Sequence, residues 1–528
     1  MRFKRNMVIL TAIAVVIGGL LSGCSKPATT SSSSTPQNGG TMTVTYSTNP
    51  QSIDPRDIYD GEDWNIGRAL YLGLYDLQTN SQLVTGVAAS MPQVSSDGTV
   101  YTIKLRNDIK WSNGQPVKAQ DFVYSLRSEL APNSNSPNEY LWYMIKGASD
   151  YEAGKSQDLG VQALDDSTLQ YTLSQPFTAF TYVLTTPSSF PVCQAAASQV
   201  STAPVTEGPY VLQSWTKGVS MALTKNPQWK QSAPYPDSIV FDFNVDPSVG
   251  VMRVQNGQAD LVGDGIPSAN YLQLIANPQT KSQITAGSIP AVVLLALNTK
   301  VKPFDNLQVR QAIEYAINKQ HLLQLMNNRG DVATSILPKA LPGFGSDTYN
   351  PYPYDPAKAK QLLTQAGYPN GFSTTLGTST EQTGSDEIVS EVKNDLQAIG
   401  INVTAKPLPS ESTAIAQIPM TTYSWYMDYP DPCDFIDGFV TSPAVAGGSN
   451  MAFQVDPAVA AMATKADQMP NGPARVQEYE AIDQGAMQDA GYVPLFYPAL
   501  TYFHSARVQG YEITSYFPCI YNLLWLSH

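Results

Sequence analysis

The chain has 528 residues, which is too long for a single hydrophobic core and predicts several domain-sized units. Its formal net charge of −13 argues against a nucleic-acid partner, because phosphates repel an acidic surface. Apolar residues make up 42% and charged residues 14%, so the chain can bury a large interior. The 29 tyrosines outnumber the 16 phenylalanines; such an excess is typical of wet binding surfaces, although core packing would also use it.

The N-terminus has the features of an export signal. Basic residues precede an uncharged run of 15 residues, Met7–Leu21, which is shorter than the ~20 residues of a membrane span. The run ends in LSGC, Leu21–Cys24, which resembles the bacterial lipobox and predicts a signal peptide over residues 1–23. Diacylglycerol would then be attached to the thiol of Cys24; the alternative is an ordinary signal peptide with an incidental cysteine. Residues 24–40 are rich in Ser, Thr, Gly and Pro and predict a flexible tether.

The rest of the chain contains no run long and apolar enough to cross a bilayer. We therefore expect the mature protein to be lipid-anchored at the outer face of the bacterial cytoplasmic membrane. The three other cysteines are an odd number, and their spacing fits no zinc motif. We expect Cys193, Cys433 and Cys519 to be buried as small apolar side chains, and we predict no metal site.

The first globular elements are short strands followed by a helix. The segment from Thr41 alternates as in a strand, with one face formed by Met42, Val44 and Tyr46. A second strand follows the turn at Asp97-Gly98, with one face formed by Tyr101, Ile103 and Leu105. A helix is predicted to begin near Ala119, because apolar residues recur every four positions at Phe122, Leu126 and Leu130.

After residue 290 longer helices alternate with short strands, which indicates an α/β lobe. The run VVLLALNT predicts a buried strand, and the next segment predicts one helix to about residue 325, capped by Asp305 or Asn306. A later helix has Asp355 as N-cap and Gly367 as its stop. The stripe Ile388, Val392, Leu396 and Ile399 predicts another helix, which Gly400 ends before a strand from Ile401.

No assembled catalytic set is visible in the sequence. The three histidines lie far apart, and His321 falls near the end of a predicted helix, where a surface or helix-dipole role is expected. No nucleophile elbow, phosphate loop or dinucleotide fingerprint occurs, and Asp165-Asp166 lies in a turn context. These absences favour a binding protein over an enzyme, with no cofactor.

Ten segments in order resemble the extracellular solute-binding proteins, family 5, of oligopeptide and dipeptide uptake systems. The longest is LNTKVKPFDNLQVRQAIEYAINKQHLL, residues 297–323. Earlier ones include SIDP, WSNGQPVKAQDFVYSL and EGPYVLQSW; later ones include YDPAKAKQLLTQAGYPNGF, WYMDYPDPCDF, VPLFYP and RVQGY. The resemblance implies an α/β, two-lobed, periplasmic-binding-protein-like clamshell that serves the permease of an ATP-binding-cassette importer. It also implies a monomer that traps a peptide when the lobes close.

The same resemblance implies a discontinuous first lobe. We expect lobe I to comprise residues 41–87, 205–295 and 491–528, with an inserted subdomain at 88–204. Lobe II would comprise residues 296–490.

The segment WYMDYPDPCDF, residues 425–435, contains three aspartates and no arginine or lysine. In peptide-binding members of the family, an aspartate of this motif pairs with the ligand's α-ammonium, and Asp428 matches it by position. Trp425 would line the cleft or pack in the core, and main-chain groups of Tyr423, Ser424 and Trp425 would pair with the peptide backbone. Asp431 and Asp434 are expected to fix the loop or cap the next helix. Weaker candidates for lining the cleft are Tyr497 and Tyr59.

Two alternatives stay open at this point. The same fold could bind another solute, such as an oligosaccharide, a nickel complex or another cationic small molecule, because no basic residue is assigned to a peptide carboxylate. The third hypothesis is a secreted hydrolase that uses the carboxylate pair Asp428/Asp431.

Overall fold

A computed structural model describes residues 35–59, 61–79, 81–341, 349–379, 385–408, 416–442, 444, 449–514 and 519–527. The described residues from 36 onward belong to one compact unit. Cys24 and the signal segment lie outside the described residues. No helix in the described part of the chain combines the length and apolar character needed to cross a bilayer.

The first half of the chain is mostly strands with short helices. In chain order the elements are β1 (Thr41–Thr45), α1 (Gly61–Leu70), β2 (Tyr75–Leu77), β3 (Leu83–Thr85), β4 (Gln93–Val94), β5 (Val100–Lys104), α2 (Ala119–Glu129), α3 (Ala148–Glu152), β6 (Val161–Asp165), β7 (Thr168–Thr172), α4 (Phe180–Val183), β8 (Tyr210–Thr216), β9 (Ser220–Lys225), β10 (Ser238–Asp242), α5 (Pro247–Gln255) and β11 (Leu261–Val262). Among the short 3-10 helices is Glu139–Trp142.

Longer helices prevail in the second half. Its elements are α6 (Ser268–Ala276), α7 (Pro278–Lys281), β12 (Ile284–Ser288), β13 (Ala291–Leu297), α8 (Leu307–Ala316), α9 (Lys319–Leu325), β14 (Gly330–Val332), α10 (Pro356–Gln365), β15 (Phe372–Ser379), α11 (Ser385–Ala398), β16 (Ile401–Leu408), β17 (Met420–Tyr426), α12 (Cys433–Val440), α13 (Pro457–Gln468), α14 (Pro473–Asp489), β18 (Tyr492–Phe503), β19 (Val508–Gln509) and β20 (Trp525–Leu526).

Three larger sheets organise the described residues. One has the order β11-β1-β10-β9-β8, a second has the order β4-β5-β7-β6, and the third has the order β12-β18-β13-β17-β15-β16, with β14 beside β18. The predicted strand faces are confirmed, because their members are buried: Met42, Val44, Tyr46, Tyr101, Ile103 and Leu105. Every residue of β13 is also buried, as its apolar run predicts.

Side-chain caps begin several of the helices. Asn306 and Asp355 accept backbone N–H groups at the starts of α8 and α10, which confirms both caps. Gly400, directly before β16, has a φ of +92°, a conformation that glycine adopts without strain. The prediction of one helix to residue 325 is wrong: Asn318 accepts the N–H of His321 and starts α9 as a separate helix.

This break also corrects the predicted setting of His321. The residue lies in the first turn of α9 rather than near a helix C-terminus. Its Nδ1 lies 2.6 Å from a carboxylate oxygen of Glu391. The apolar stripe continues through the break, and for that reason periodicity alone did not reveal it.

Strand β18 joins segments that are far apart in sequence. It pairs with β12, β13 and β14, so residues 492–503 share a sheet with β17. The domain boundaries given above stay a prediction. The cysteines Cys193, Cys433 and Cys519 are free and buried, as expected.

Candidate functional site

Strand β17 places Tyr423, Ser424 and Trp425 beside the buried β13, with Ser424 opposite Val293. Side chains alternate along a strand, so Tyr423 and Trp425 share one face and Ser424 points to the other. Tyr423 and Trp425 pack against the larger hydrophobic cluster, whereas Val293 belongs to a second cluster on the opposite face. The side chains of the three predicted residues therefore do not line one surface, although their backbones follow one strand.

The aromatic side chains of β17 pack against α12. The rings of Tyr423 and Trp425 lie 6.0 and 5.8 Å from the ring of Phe439. Gly438 of α12 also lies against the indole, since a Cβ built there would be 3.4 Å from the Trp425 ring. Trp425 is half-buried and packs against the core, while its place in the lining of the cleft stays a prediction.

Asp434 holds the turn between β17 and α12. Its Oδ2 accepts hydrogen bonds from the indole Nε1 of Trp425 and from the backbone N–H of Asp428, each 3.1 Å long. Burial, followed by the nearby Asp428 carboxylate, raises the pKa of Asp434 well above its ordinary value. The predicted loop-fixing role of Asp434 is confirmed by these two contacts.

Asp431 is held by a cation from a distant helix. Its two oxygens accept hydrogen bonds of 2.7 and 2.8 Å from the guanidinium of Arg475 on α14, and both side chains are buried. One oxygen also accepts the N–H of Cys433 at the start of α12. The hydrolase hypothesis loses its second carboxylate here, because both oxygens of Asp431 are occupied by Arg475.

Asp428 is half-buried and accepts a hydrogen bond of 2.5 Å from the hydroxyl of Tyr140. Burial raises its pKa to about 6, while the hydrogen bond from Tyr140 acts in the opposite direction. Tyr140 belongs to the 3-10 helix Glu139–Trp142, in the region predicted as the inserted subdomain. Tyr140 was not predicted, since nothing in its local sequence distinguishes it from the other tyrosines.

Tyr59 joins this group from the N-terminal part of the chain. It is 56% exposed and lies close enough to Tyr140 and Tyr423 to add to the rise in their pKa values, which burial dominates. Tyr59, Tyr140, Tyr423 and Asp428 thus form one neighbourhood, to which we refer as the Asp428 group.

Tyr497 has a different setting. It is buried, its hydroxyl donates to the carbonyl of Ser335 over 3.0 Å, and it accepts the N–H of Ser335 over 3.2 Å. Among the described contacts, these anchor the segment after β14 and do not join Tyr497 to the Asp428 group. The ligand-binding roles of all these residues stay predictions.

The chemistry of the Asp428 group favours a positively charged guest. The carboxyl group of Asp434 lies next to that of Asp428, and burial opposes the ionisation of both. An ammonium group beside them would favour the ionised carboxylate through charge-assisted hydrogen bonds. Aromatic rings next to the carboxylate add apolar area and attraction for a cation.

One edge of β17, the edge that faces β15, is paired along only part of its length. β15 pairs with β17 only at Met420 and Thr421. No described strand therefore continues alongside Tyr423 and Trp425 on that side. An extended ligand could pair with the strand there.

Comparison with known proteins places the chain in a family. The model for bacterial extracellular solute-binding proteins, family 5 Middle, matches residues 82–447. Among relatives, the glutathione-binding protein GsiB of Pectobacterium atrosepticum is 30% identical over 365 residues, covering 67% of this chain and 66% of that protein. GsiB of Escherichia coli strain K12 is 28% identical over 492 residues, covering 89% of this chain and 92% of that protein.

Solved structures give the same result for the fold. The periplasmic binding protein DppA of Helicobacter pylori, in complex with the peptide STSA, matches with a TM-score of 0.81 and 24% identity, covering 93% of this chain and 98% of that one. AgaA of A. tumefacien R10, in complex with agropinic acid, matches with a TM-score of 0.79 and 22% identity, covering 93% of this chain and 99% of that one. These likenesses confirm the predicted two-lobed α/β fold class. The chain belongs to the bacterial extracellular solute-binding proteins, family 5.

Proposed function

We propose that this protein captures short peptides with a free amino terminus and delivers them to the permease of an ATP-binding-cassette importer. The observation that carries the proposal is the half-buried carboxylate of Asp428, which lies among tyrosine rings beside β17. The family consists of substrate-binding proteins rather than enzymes, which supports a role in capture without chemical change.

The ligand's ammonium group would bind to Asp428. A carboxylate in a closed cleft holds an ammonium by charge-assisted hydrogen bonds, which are about twice as strong as neutral ones. Tyr140 donates to the same carboxylate from a segment 288 residues earlier in the chain. A ligand bound there would contact both segments, and it would favour the closed arrangement of the lobes because only that arrangement supplies both contacts.

The peptide backbone would lie along β17. Main-chain groups of Tyr423 and Trp425 would pair with it as an added strand, on the side where β15 no longer continues. This mode recognises backbone atoms and tolerates varied side chains. Trp425 would contact the first residue of the peptide through the accessible part of its ring.

The relatives support a ligand that carries an ammonium group. DppA of Helicobacter pylori was solved with the peptide STSA, and the GsiB relatives are glutathione-binding proteins. Glutathione is itself a small peptide with a free ammonium group, so it belongs in the first set of ligands to test. A second candidate is a solute other than a peptide on the same fold, because AgaA was solved with agropinic acid.

We further propose that the protein acts as a monomer at the outer face of the cytoplasmic membrane, held by a lipid on Cys24. We also propose the boundaries of the two lobes. Lobe I would comprise residues 41–87, 205–295 and 491–528, with the inserted subdomain at 88–204, and lobe II would comprise residues 296–490. The LSGC sequence and the Ser/Thr-rich tether support the anchor. The acidic net charge of −13 supports the absence of a nucleic-acid partner.

Calorimetry with four ligand classes tests the function. Di- to pentapeptides and glutathione should release or absorb heat at micromolar concentrations, whereas oligosaccharides and nickel complexes should not. The matched control is each peptide with an acetylated amino terminus, which keeps the backbone but removes the positive charge. Equal affinity for free and acetylated peptides would contradict the role of Asp428, and binding of an oligosaccharide alone would replace the proposed ligand class.

A further inference from the structure

A second group of side chains lies near the start of α12, outside the proposed peptide contacts. Cys433 and Asp437 belong to α12, and Asp467 belongs to the last turn of α13. The Sγ atom of Cys433 and one carboxylate oxygen of each aspartate all lie within 4.8 Å of one another. No metal site was predicted, because the spacing of the cysteines fits no zinc motif and this group contains one cysteine and two aspartates.

The donor atoms of this group lie close to the positions that a tetrahedral metal ion requires. Cys433 and Asp437 are four positions apart on one helix, a spacing that puts both side chains on the same face. Zinc–sulfur and zinc–oxygen bonds of about 2.3 and 2.0–2.2 Å imply donor atoms about 3.5 Å apart. The donors therefore need to move by only about 1 Å to meet a shared ion.

One donor atom of the group has no other use in the described residues. Oδ1 of Asp437 is inaccessible to solvent and accepts no hydrogen bond from any of them. Asp467 is oriented by the hydroxyl of Tyr479, which donates to its Oδ1 over 2.6 Å. Outer contacts of this kind commonly orient metal-binding carboxylates.

The acidic side chains around the group outnumber the basic side chain that lies near them. Arg475 lies nearby, but its guanidinium is held by both oxygens of Asp431 at 2.7 and 2.8 Å. One guanidinium thus neutralises one carboxylate. Two further carboxyl groups and a thiol remain, and buried charges of one sign are stable only when protons or a metal neutralise them.

We propose that Cys433, Asp437 and Asp467 bind one Zn²⁺ ion. On binding, the S–H bond of Cys433 breaks, a sulfur–zinc bond forms, and the proton passes to the buffer. One oxygen of each aspartate supplies a further bond, any proton on that carboxyl also passes to the buffer, and a water molecule completes the tetrahedron. The sulfur donor selects Zn²⁺ or Cd²⁺ over Mg²⁺ and Ca²⁺, which prefer all-oxygen sites.

Bound zinc would connect α12 to α13 directly. The peptide segment lies just before α12, but the site uses neither Asp428 nor the exposed side of β17. The ion should therefore stabilise the fold and leave the peptide affinity of the protein nearly unchanged. This separation makes the proposal independent of the peptide-binding proposal.

Titration of the metal-free protein with Zn²⁺ tests the proposal. We expect one equivalent to bind, with proton release that appears as a dependence of the heat on the buffer's ionisation enthalpy, and a higher Tm. Cys433→Ser and Asp437→Asn should each weaken zinc binding by more than about 100-fold, since even the loss of an outer contact costs up to that much. Mg²⁺ should not compete.

Matched variants separate this site from other zinc donors. Cys519→Ser changes another buried free cysteine, and His321→Ala changes a histidine on α9; both should keep wild-type zinc binding. Should Cys433→Ser fail to fold, as judged by circular dichroism, Asp437→Asn decides, because Asp437 is only half-buried. The proposal is overturned if the protein takes up less than about a tenth of an equivalent, or if Asp437→Asn binds zinc as the wild type does.

Discussion

Two aspartates of one short segment, Asp428 and Asp431, lie in contrasting surroundings. Asp431 is buried and makes a bidentate ion pair with Arg475, so its charge is neutralised by the chain itself. Asp428 is half-buried and accepts a hydrogen bond from the neutral hydroxyl of Tyr140. The first arrangement stabilises a loop, and the second suits a site where an arriving cation completes the charge balance. Residue type and sequence neighbourhood alone do not distinguish these roles.

The largest effect is expected from removing the ion-pair partner of Asp431. Arg475→Met leaves the Asp431 carboxylate buried without its cation, which should lower the free energy of unfolding by about 3–5 kcal/mol. Chemical denaturation measures this change. Arg106→Met is the matched control: Arg106 pairs with Asp108 on the surface and should cost at most about 1 kcal/mol. Similar losses in both variants would show that Asp431 does not depend on Arg475.

The next largest effect is expected on peptide binding, from a change of Asp428. Asp428→Asn removes the charge but keeps the shape, and it should weaken binding of an amino-terminated peptide by about 1.5–3 kcal/mol. Its free energy of unfolding should stay within about 1 kcal/mol of wild type, because asparagine keeps a side-chain oxygen that can accept the hydrogen bond of Tyr140. Calorimetry and denaturation on the same sample measure both quantities. Unchanged affinity would mean that Asp428 faces elsewhere in the complex.

The pH dependence of peptide binding also distinguishes Asp428 from Asp431. With a pKa of about 6, Asp428 is mostly ionised at pH 7 and mostly protonated at pH 5, so peptide affinity should fall about tenfold between them. The ligand's ammonium stays charged throughout that interval. The stability of the fold depends on pH in the opposite direction. Because the pKa of Asp428 is higher in the folded than in the unfolded state, this group favours folding at low pH, and the contribution is lost as pH rises through about 6.

Calorimetric titrations at pH 7 and pH 5 measure the change in affinity. Asp428→Asn serves as the control and should show a much flatter dependence on pH. A wild-type affinity that does not change over this interval would contradict the raised pKa of Asp428 as the source of the effect.

The smallest effect comes from the phenol. Tyr140→Phe removes the hydrogen bond to Asp428 and should weaken peptide binding by about 1 kcal/mol. Because that hydrogen bond lowers the pKa of Asp428, the midpoint of the affinity profile should also move to higher pH. Tyr143→Phe, at an exposed tyrosine near the same 3-10 helix, should change neither quantity. A profile that moves to lower pH would rule out this role for Tyr140.

Local features of the sequence predicted most of the secondary structure. The alternation of Met42, Val44 and Tyr46 and the cap at Asp355 depend on neighbours within one turn or strand, where periodicity and capping act. The break between α8 and α9 was missed because the apolar stripe runs on through it while the Asn318 side chain caps a new helix. A competing cap therefore outweighed a continuous pattern.

The site was less predictable for a physical reason. The motif around Trp425 could be recognised by resemblance, and it directed attention to Asp428. Tyr140 and Arg475, which distinguish Asp428 from Asp431, lie 288 and 44 residues away in the chain. Only the folded arrangement brings them to the loop. The zinc proposal has the same origin, since Asp467 approaches Cys433 from another helix.

A crystal structure of the protein with a bound tripeptide tests the central claim most directly. We expect the amino nitrogen of the ligand within about 3 Å of a carboxylate oxygen of Asp428, with the ligand backbone paired to β17. A tripeptide whose amino group is held by other residues, while Asp428 is turned away from it, would contradict the claim.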